Sequence, residues 1–464
     1  MSRTCQTIAV FILAFIVCLA VAPGVRAEAA PKRPNFLFVY TDDQRWDAMS
    51  VVQREQGDKA RFPWLKTPNM DRLAAQGVRF RNAFVVNSLC SPSRASFLSG
   101  LYGHKNGIVN NHSPFPVNNV TWATLLKRAG YVTGYVGKFH MGKQGGTRPG
   151  FDFSASFIGQ GKYFDCPIEV NGKTTPTQGW VDDVGTDFAI NFMKENKDKP
   201  FALAVGFKST HGPFTPPPRR KDDYAGESFR PVPNLKVPAI YHEENAKKKG
   251  GKAPNLDYFR CIAAADDNLG KLLKALDDLG LADNTIVIFS SDNGYYLGEH
   301  GLGDKRSAYE ESLRIPMLVR YPPLGNPGRT IDSMVLNVDL APTLLDFAGV
   351  KVPAEMQGRS WKPLLEGKET PWRHAFFYCY FFEKGYTTPT TTAVRTDDAV
   401  LIKYSGHDNW TEMFDIKKDP YQLKNLYSDP AHAELRRSLE AQYEREARAI
   451  DFRIPDFADE KQKK

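Results

Sequence analysis

Two uninterrupted apolar runs, Asn35-Phe36-Leu37-Phe38-Val39-Tyr40 and Thr285-Ile286-Val287-Ile288-Phe289-Ser290, constrain this chain more than any other feature. Their length and bounding residues fit strands buried on both faces. Acidic pairs follow both runs: Thr41-Asp42-Asp43 after the first, Ser291-Asp292-Asn293 after the second. In open α/β sheets the carboxyl ends of strands are where ligands bind. The spacing predicts further strands over 77–80, 131–136, 200–207 and 316–320. Helices are expected from 67, over 121–128 (ended by Gly130), over 186–194, and over 256–279 (stopped by Gly280). This alternation calls for a largely parallel sheet covered on both sides.

The texture changes near residue 366. Short strand-like pieces (375–382, 392–395, 400–404, 410–416) precede a helix over 431–450, the pattern of a small α+β C-terminal domain. Residues 28–368 are therefore expected as the catalytic domain and 369–464 as the C-terminal domain. The stretch 212–252, rich in Pro and Lys, reads as a long irregular insertion suited to substrate contact. The 464 residues, 42% hydrophobic and 25% charged, suffice for one large and one small domain.

Residues 1–27 carry the marks of a secretory signal: Arg3, an apolar stretch from Ile8 to Val21, and Val25-Arg26-Ala27 as a cleavage site. A secreted or periplasmic protein without stable membrane insertion is expected. The net charge is +8; removal of Arg3 and Arg26 leaves about +6. The dense basic run Lys247-Lys248-Lys249-Gly250-Gly251-Lys252 reads as a solvated loop, and no nucleic-acid-binding signature accompanies it. Beyond the signal only Cys90, Cys166, Cys261 and Cys379 remain, too few for a disulfide framework. Cys261, in an apolar helical stretch, is expected as a buried small hydrophobe.

Asp and Asn oxygens at two strand ends suit a hard cation such as Ca²⁺ or Mg²⁺ rather than zinc. Two groups of basic residues follow other strands, Gly137-Lys138-Phe139-His140 and His211 within Ser209-Thr210-His211-Gly212-Pro213, and Lys305 lies within Gly303-Asp304-Lys305-Arg306. Cleaving an ester of a tetrahedral oxyanion calls for cations around its peripheral oxygens and a proton donor at the leaving oxygen. Cys90-Ser91-Pro92-Ser93-Arg94, placed before a short apolar run and read as a turn, completes the set.

That pentapeptide resembles the signature of type I sulfatases, in which the cysteine becomes formylglycine, an aldehyde residue. Residues 34–44, 90–100, 130–140 and 291–316 are similar to successive blocks of this family, in family order. The segments 337–343 and 413–426 resemble its later ones, so the likeness covers nearly the whole mature chain. It implies the alkaline-phosphatase-like fold: an α/β/α sandwich with a large, mostly parallel sheet, and a small C-terminal domain with a four-stranded antiparallel sheet.

The resemblance further implies that Asp42, Asp43, Asp292 and Asn293 bind one Ca²⁺, with Cys90, as formylglycine, completing the site. Arg94 and Lys138 would hold the formylglycine hydrate, and Lys138, His211 and Lys305 the sulfate. His140 would deprotonate the second hydroxyl of the hydrate, and His211 would protonate the leaving alkoxide. A further sulfate-binding serine of the family is sought between Ser154 and Gly161. The implied partners are a sulfated carbohydrate and a formylglycine-generating or anaerobic sulfatase-maturing enzyme. Residues 291–301 and 304–306 have the flavour of sulfatases that remove 6-O-sulfate from N-acetylglucosamine; iduronate and galactose sulfatases stay open. His300, Tyr295 and Tyr380 are candidates for either sugar contact or packing. Two other readings stand beside this one: a phosphatase or phosphonate hydrolase of the same superfamily, and a sulfated-glycan binder in which Cys90 stays a thiol.

Overall fold

The computed structural model describes residues 33–242, 255–325 and 327–455; the expected signal and the Lys247–Lys252 run lie outside them. The strand Asn35–Thr41 is buried along its whole length and sits at the centre of a ten-stranded sheet. Successive side chains alternate between two cores. Phe36, Phe38 and Tyr40 pack with the helices Cys90–Ser99, Trp122–Arg128 and Leu340–Phe347. Leu37 and Val39 pack with Pro68–Gln76, Val181–Glu195 and Leu256–Asp278 on the opposite face. Period-two alternation with no polar position is what a strand between two helical layers requires. Each such side chain contributes about 1.5–3 kcal/mol through burial.

Strand Asn35–Thr41 pairs in parallel with Phe201–Gly206 on one side and Thr285–Ser291 on the other. Val132–Lys138 and Phe153–Phe157 extend the parallel set beyond Phe201–Gly206. Met317–Arg320 runs antiparallel to Thr285–Ser291, and Ile168–Val170 and Lys173–Thr175 close the other edge antiparallel. The sheet is thus mixed with a parallel centre. The short edge pieces at 153–175 were not legible as strands, since their sequence has no long apolar run.

Register decides the placement of the site. Thr41 lies opposite Ser291, so Asp42 and Asp292 leave adjacent strands side by side. Gly137 lies opposite Gly206, with a backbone approach so close that a Cβ at Gly137 would fall 2.1 Å from the Gly206 carbonyl oxygen. Gly137 also has φ of +87°, where an L side chain is strained. Any larger residue here would push Lys138 out of place.

Two expectations change. Lys138 is the last residue of its strand rather than part of the following loop. Residues 91–94 are not a turn: the helix begins at Cys90 and runs to Ser99, buried throughout. Pro92 is tolerated because first-turn amides have no intrahelical acceptor to lose.

The C-terminal strands Ala375–Tyr380, Thr391–Thr396, Ala399–Tyr404 and Glu412–Asp415 form an antiparallel sheet in sequence order. Helix Ala433–Ala449 covers one face through Leu439, against Val394, Leu401 and Met413. Tyr378 and Tyr380 join the core that includes Phe84, Leu313 and Leu336 of the larger sheet's surroundings. The described part of the expected insertion, 212–242, contains only short 3₁₀ turns. Among the described residues no helix is long and apolar enough to cross a membrane.

Candidate active site

The carboxyl ends of the central strands bring Asp42, Asp43 and Asp292 together, with oxygens within 4.8 Å of one another. All three side chains are buried. Asp43 holds a left-handed backbone at φ of 65°, which turns the chain so that both consecutive carboxylates face inward. Lys138 and Arg94 sit on Asp42, the latter at 3.2 Å. Arg94 Nε also donates to Asp292 at 2.8 Å, and Lys305 Nζ to Asp43 at 2.8 Å. Asn293 Nδ2 donates to Asp43 at 2.6 Å, while its Oδ1 is buried with no hydrogen-bond partner.

Electrostatics divide the three acids. Burial alone would raise Asp42, but Lys138, His211 and Arg94 hold its carboxyl well below the usual range. Burial pushes Asp43 up to about 7, with Lys305 opposing and the charges of Asp42 and Asp292 adding to the rise. Asp292 is raised by burial and by Asp42. Such crowding of like charge is what a divalent cation relieves. The donor set fits a hard cation: three carboxylates plus a free amide oxygen, and no clustered histidines of a zinc site.

Cys90 stands at the head of its buried helix, with its thiol aimed at Asp42 Oδ1 at 3.5 Å. Its sulfur, an Asp42 oxygen and a His211 ring nitrogen lie within 4.8 Å of one another. Burial and Asp42 push the thiol up to about 12. A thiol held that high is not a thiolate nucleophile at neutral pH.

His211 and His140 are both held well below the ordinary imidazole range, first by burial and then by Lys138. His211 Nδ1 lies 2.7 Å from the Gly212 carbonyl, which can only accept, so Nδ1 carries the proton and Nε2 is left for chemistry. His140 Nδ1 is buried and unpartnered, on a residue with φ of 50°. Ser91 Oγ, in the first turn of the Cys90 helix, donates to the His140 carbonyl and ties the two segments together.

The ten residues given catalytic or metal-binding roles from the sequence are thereby found in one cluster: Asp42, Asp43, Cys90, Arg94, Lys138, His140, His211, Asp292, Asn293 and Lys305. The stretch searched for a serine supplies a glutamine instead. Gln160 Oε1 accepts from Lys138 Nζ at 2.6 Å, whereas Ser154 and Ser156 are buried within their strand. Lys208 and Tyr258 escaped the sequence reading; Tyr258 OH donates to the Asp43 carbonyl at 2.7 Å. A helical tyrosine carries no local signal of that contact. His300 is buried and stacked on Tyr309, and Tyr380 is buried in the core, which favours their packing role. Tyr295 is only partly buried, against Tyr258 and Phe214.

Known proteins share this arrangement of sequence and fold. Residues 34–350 match the Sulfatase family model, and residues 298–449 match the model "N-sulphoglucosamine sulphohydrolase, C-terminal". An N-acetylglucosamine-6-O-sulfatase of Bacteroides thetaiotaomicron is 34% identical, over 88% of this chain and 85% of its own. A solved structure in complex with its substrate D-glucosamine-2-N,6-O-disulfate superposes with TM-score 0.83 at 31% identity, covering 93% of this chain and 100% of the other. A phosphonate monoester hydrolase of Agrobacterium radiobacter shares the fold at TM-score 0.72 and 23% identity, over 89% of this chain and 96% of the other. With its fold, its acidic and basic cluster and the family match over most of its length, the chain belongs to the sulfatase family and is a sulfuric ester hydrolase.

Proposed function

We propose that this enzyme removes sulfate from a sulfated carbohydrate of the glycosaminoglycan or mucin class, with 6-O-sulfated glucosamine derivatives as the favoured substrates. Cys90 carries the reading: a buried, protonated thiol between Asp42 and His211 is a poor sulfur nucleophile at the centre of the site, which supports a role as the precursor of formylglycine. The sugar preference draws on the two relatives whose names specify glucosamine sulfates. Residues 28–368 would carry the chemistry, and 369–464 would form the C-terminal domain. Export to the periplasm or exterior, and conversion by a maturing enzyme, belong to the same reading.

Asp42, Asp43, Asp292 and Asn293 would hold one Ca²⁺, which supplies Lewis-acid polarisation at the reacting centre. Formylglycine derived from Cys90 would supply an aldehyde as the covalent nucleophilic centre. The chain's own residues do the rest. Lys138 and Lys305 exchange their carboxylates for the peripheral oxygens of the sulfate, where negative charge accumulates. Arg94 stays on Asp292 and fixes the acidic cluster. His211 is neutral in the ligand-free site, because burial, Lys138 and Lys305 oppose its charge. An arriving anion offsets both lysines, so His211 takes up a proton at Nε2 and passes it to the leaving alkoxide. His140, kept neutral, accepts the proton that releases sulfate. Beside Lys305 a cavity of about 230 Å³, lined by Tyr241, His242, Asp304, Arg306 and Tyr386 among others, offers a seat for the sugar.

Mass spectrometry of the Cys90 peptide from secreted protein, paired with assays on a panel of sulfated glucosamines, tests the reading. Formylglycine and turnover of 6-O-sulfated sugars are expected; an unmodified thiol in active protein would overturn it. The shared fold with a phosphonate hydrolase supports a second reading, and faster turnover of phosphonate or phosphate esters than of any sulfate ester would favour that one.

A further inference from the structure

Three lysines are buried among the described residues: Lys138, Lys208 and Lys305. Two of them rest on carboxylates, Lys138 on Asp42 and Lys305 on Asp43. Lys208 pairs with none among the described residues. Its Nζ donates to the Gln160 carbonyl at 2.9 Å and stands 4.9 Å from the centroid of the Tyr163 ring. A buried ammonium with no carboxylate in contact costs several kcal/mol, and an apolar residue of similar size would avoid that cost.

The neighbours of Lys208 lead straight to the sulfate machinery. Gln160 accepts from Lys138 through its side chain. Tyr163 OH donates to the His211 carbonyl at 2.7 Å, and the His211 amide donates to the Lys208 carbonyl at 3.0 Å. Asp182 fixes the backbone below, accepting from the Lys208 and Ser209 amides at 2.7 and 3.0 Å. Lys208 therefore bridges the loop that holds Lys138 and the turn that carries His211. Burial, and then the like charge of Lys138, bring its ammonium down to about 8, with the charges of Asp42 and Asp182 opposing.

We propose that Lys208 is a positioning residue for the anionic group of the substrate: from behind Gln160 its unpaired charge strengthens the cradle formed by Lys138, His211 and Lys305. The proposal rests on the sulfate-ester reading and adds to it a source of anion affinity that does not touch the sulfate.

The test titrates inorganic sulfate into the mature holoenzyme and into Lys208→Met, Lys208→Gln and Lys208→Arg, with kcat, KM and thermal midpoint measured alongside. Loss of one nearby charge should weaken sulfate binding about tenfold in both the Met and the Gln variants. KM should rise with it while kcat changes less, and Lys208→Arg should recover most of the affinity. The Met variant should melt at or above the wild-type temperature, since an unpaired buried charge is gone. A merely structural role gives the opposite pattern, a lower midpoint with sulfate affinity intact. Wild-type sulfate affinity in either uncharged variant overturns the proposal, as does a wild-type enzyme that binds no sulfate. Should the Met variant fail to fold, the Gln and Arg variants decide. A wild-type enzyme that binds sulfate but cleaves no sulfate ester would instead remove the proposed function, leaving Lys208 to be judged on binding alone.

Discussion

Asp43 and Asp47 lie four residues apart and belong to two buried charge clusters built on opposite principles. Around Asp43 three carboxylates crowd within 4.8 Å even though Arg94, Lys138 and Lys305 rest on them, and burial with the acidic neighbours pushes the Asp43 carboxyl up to about 7. Around Asp47 opposite charges interleave. Arg45 joins Asp47 at 2.7 Å and Glu299 at 2.6 Å, and Arg61 also rests on Glu299. Despite burial, Arg45 and Arg61 hold Asp47 below its usual range. Here the crowding falls on arginine: burial and Arg45 lower Arg61 to about 10, which still leaves it charged at neutral pH. The first cluster keeps its acids against one another, an arrangement that the proposed cation would relieve; the second closes on itself and holds the Gly294–Gly301 loop beside the site. Buried ion pairs by themselves do not mark a functional site; what sets the first cluster apart is that its carboxylates also lie against one another and one of them is raised to about 7.

Substitutions that separate the two clusters break or sharpen this contrast. The largest effect belongs to Cys90→Ser, which should lower turnover by a thousandfold or more, of the order seen when a catalytic nucleophile is lost. A serine lacks the second hydroxyl, so intact mass measurement should show sulfate retained on the variant after exposure to substrate; repeated turnover would refute the role of Cys90. In the interleaved cluster, Glu299→Gln should cost roughly 3–5 kcal/mol of stability by leaving buried arginines uncompensated. Its kcat per folded molecule should match the wild type, and a specific loss of kcat at unchanged denaturant midpoint would erase the distinction drawn here.

Asp43→Asn should reduce kcat on the order of a hundredfold, with calcium chelation having a similar effect on the wild type. Calcium at a hundred times its dissociation constant should stabilise the wild type by about 3 kcal/mol. A calcium-dependent melting shift that survives in Asp43→Asn would move the cation elsewhere.

The smallest effect comes from His300, stacked on Tyr309 at 4.0 Å between ring centroids and lowered to about 4 by burial. Its native pKa lies below the unfolded value near 6.5, so the unfolded chain binds more protons in between, and stability falls as pH drops through that window. Between pH 7 and 5 this contributes about 2 kcal/mol. His300→Asn, which tolerates the left-handed backbone at φ of 53°, should flatten that part of the pH–stability curve. An unchanged slope would show that His300 is not the group responsible.

Much of the site was legible because its residues follow strands whose apolar runs are unmistakable. Asp42 and Asp292 could be placed at strand ends, and Lys138 and His211 just after strands, from local sequence alone, whereas Lys305 was legible only through the family resemblance. Cys90 was legible as a motif but not as a helix start, since Pro92 reads locally as a turn. Gln160 and Lys208 were not legible in these roles. Their function arises from contacts between the 157–163 loop, the 208–211 turn and Lys138, which share no sequence proximity.

By itself the sequence determined the layered α/β architecture and the residue types of the cluster, because hydrophobic periodicity and strand-end chemistry are local properties; the family was legible only as the resemblance carried by residues 90–94 and their companion blocks. Only the tertiary structure decided the rest. Register set Asp42 beside Asp292, and the close approach of Gly137 to Gly206 set Lys138 on Asp42. Among the described residues, packing left one buried lysine with no carboxylate in contact. Such charge relations depend on distances of a few ångströms between segments far apart in the chain, and those distances exist only once the strands have paired.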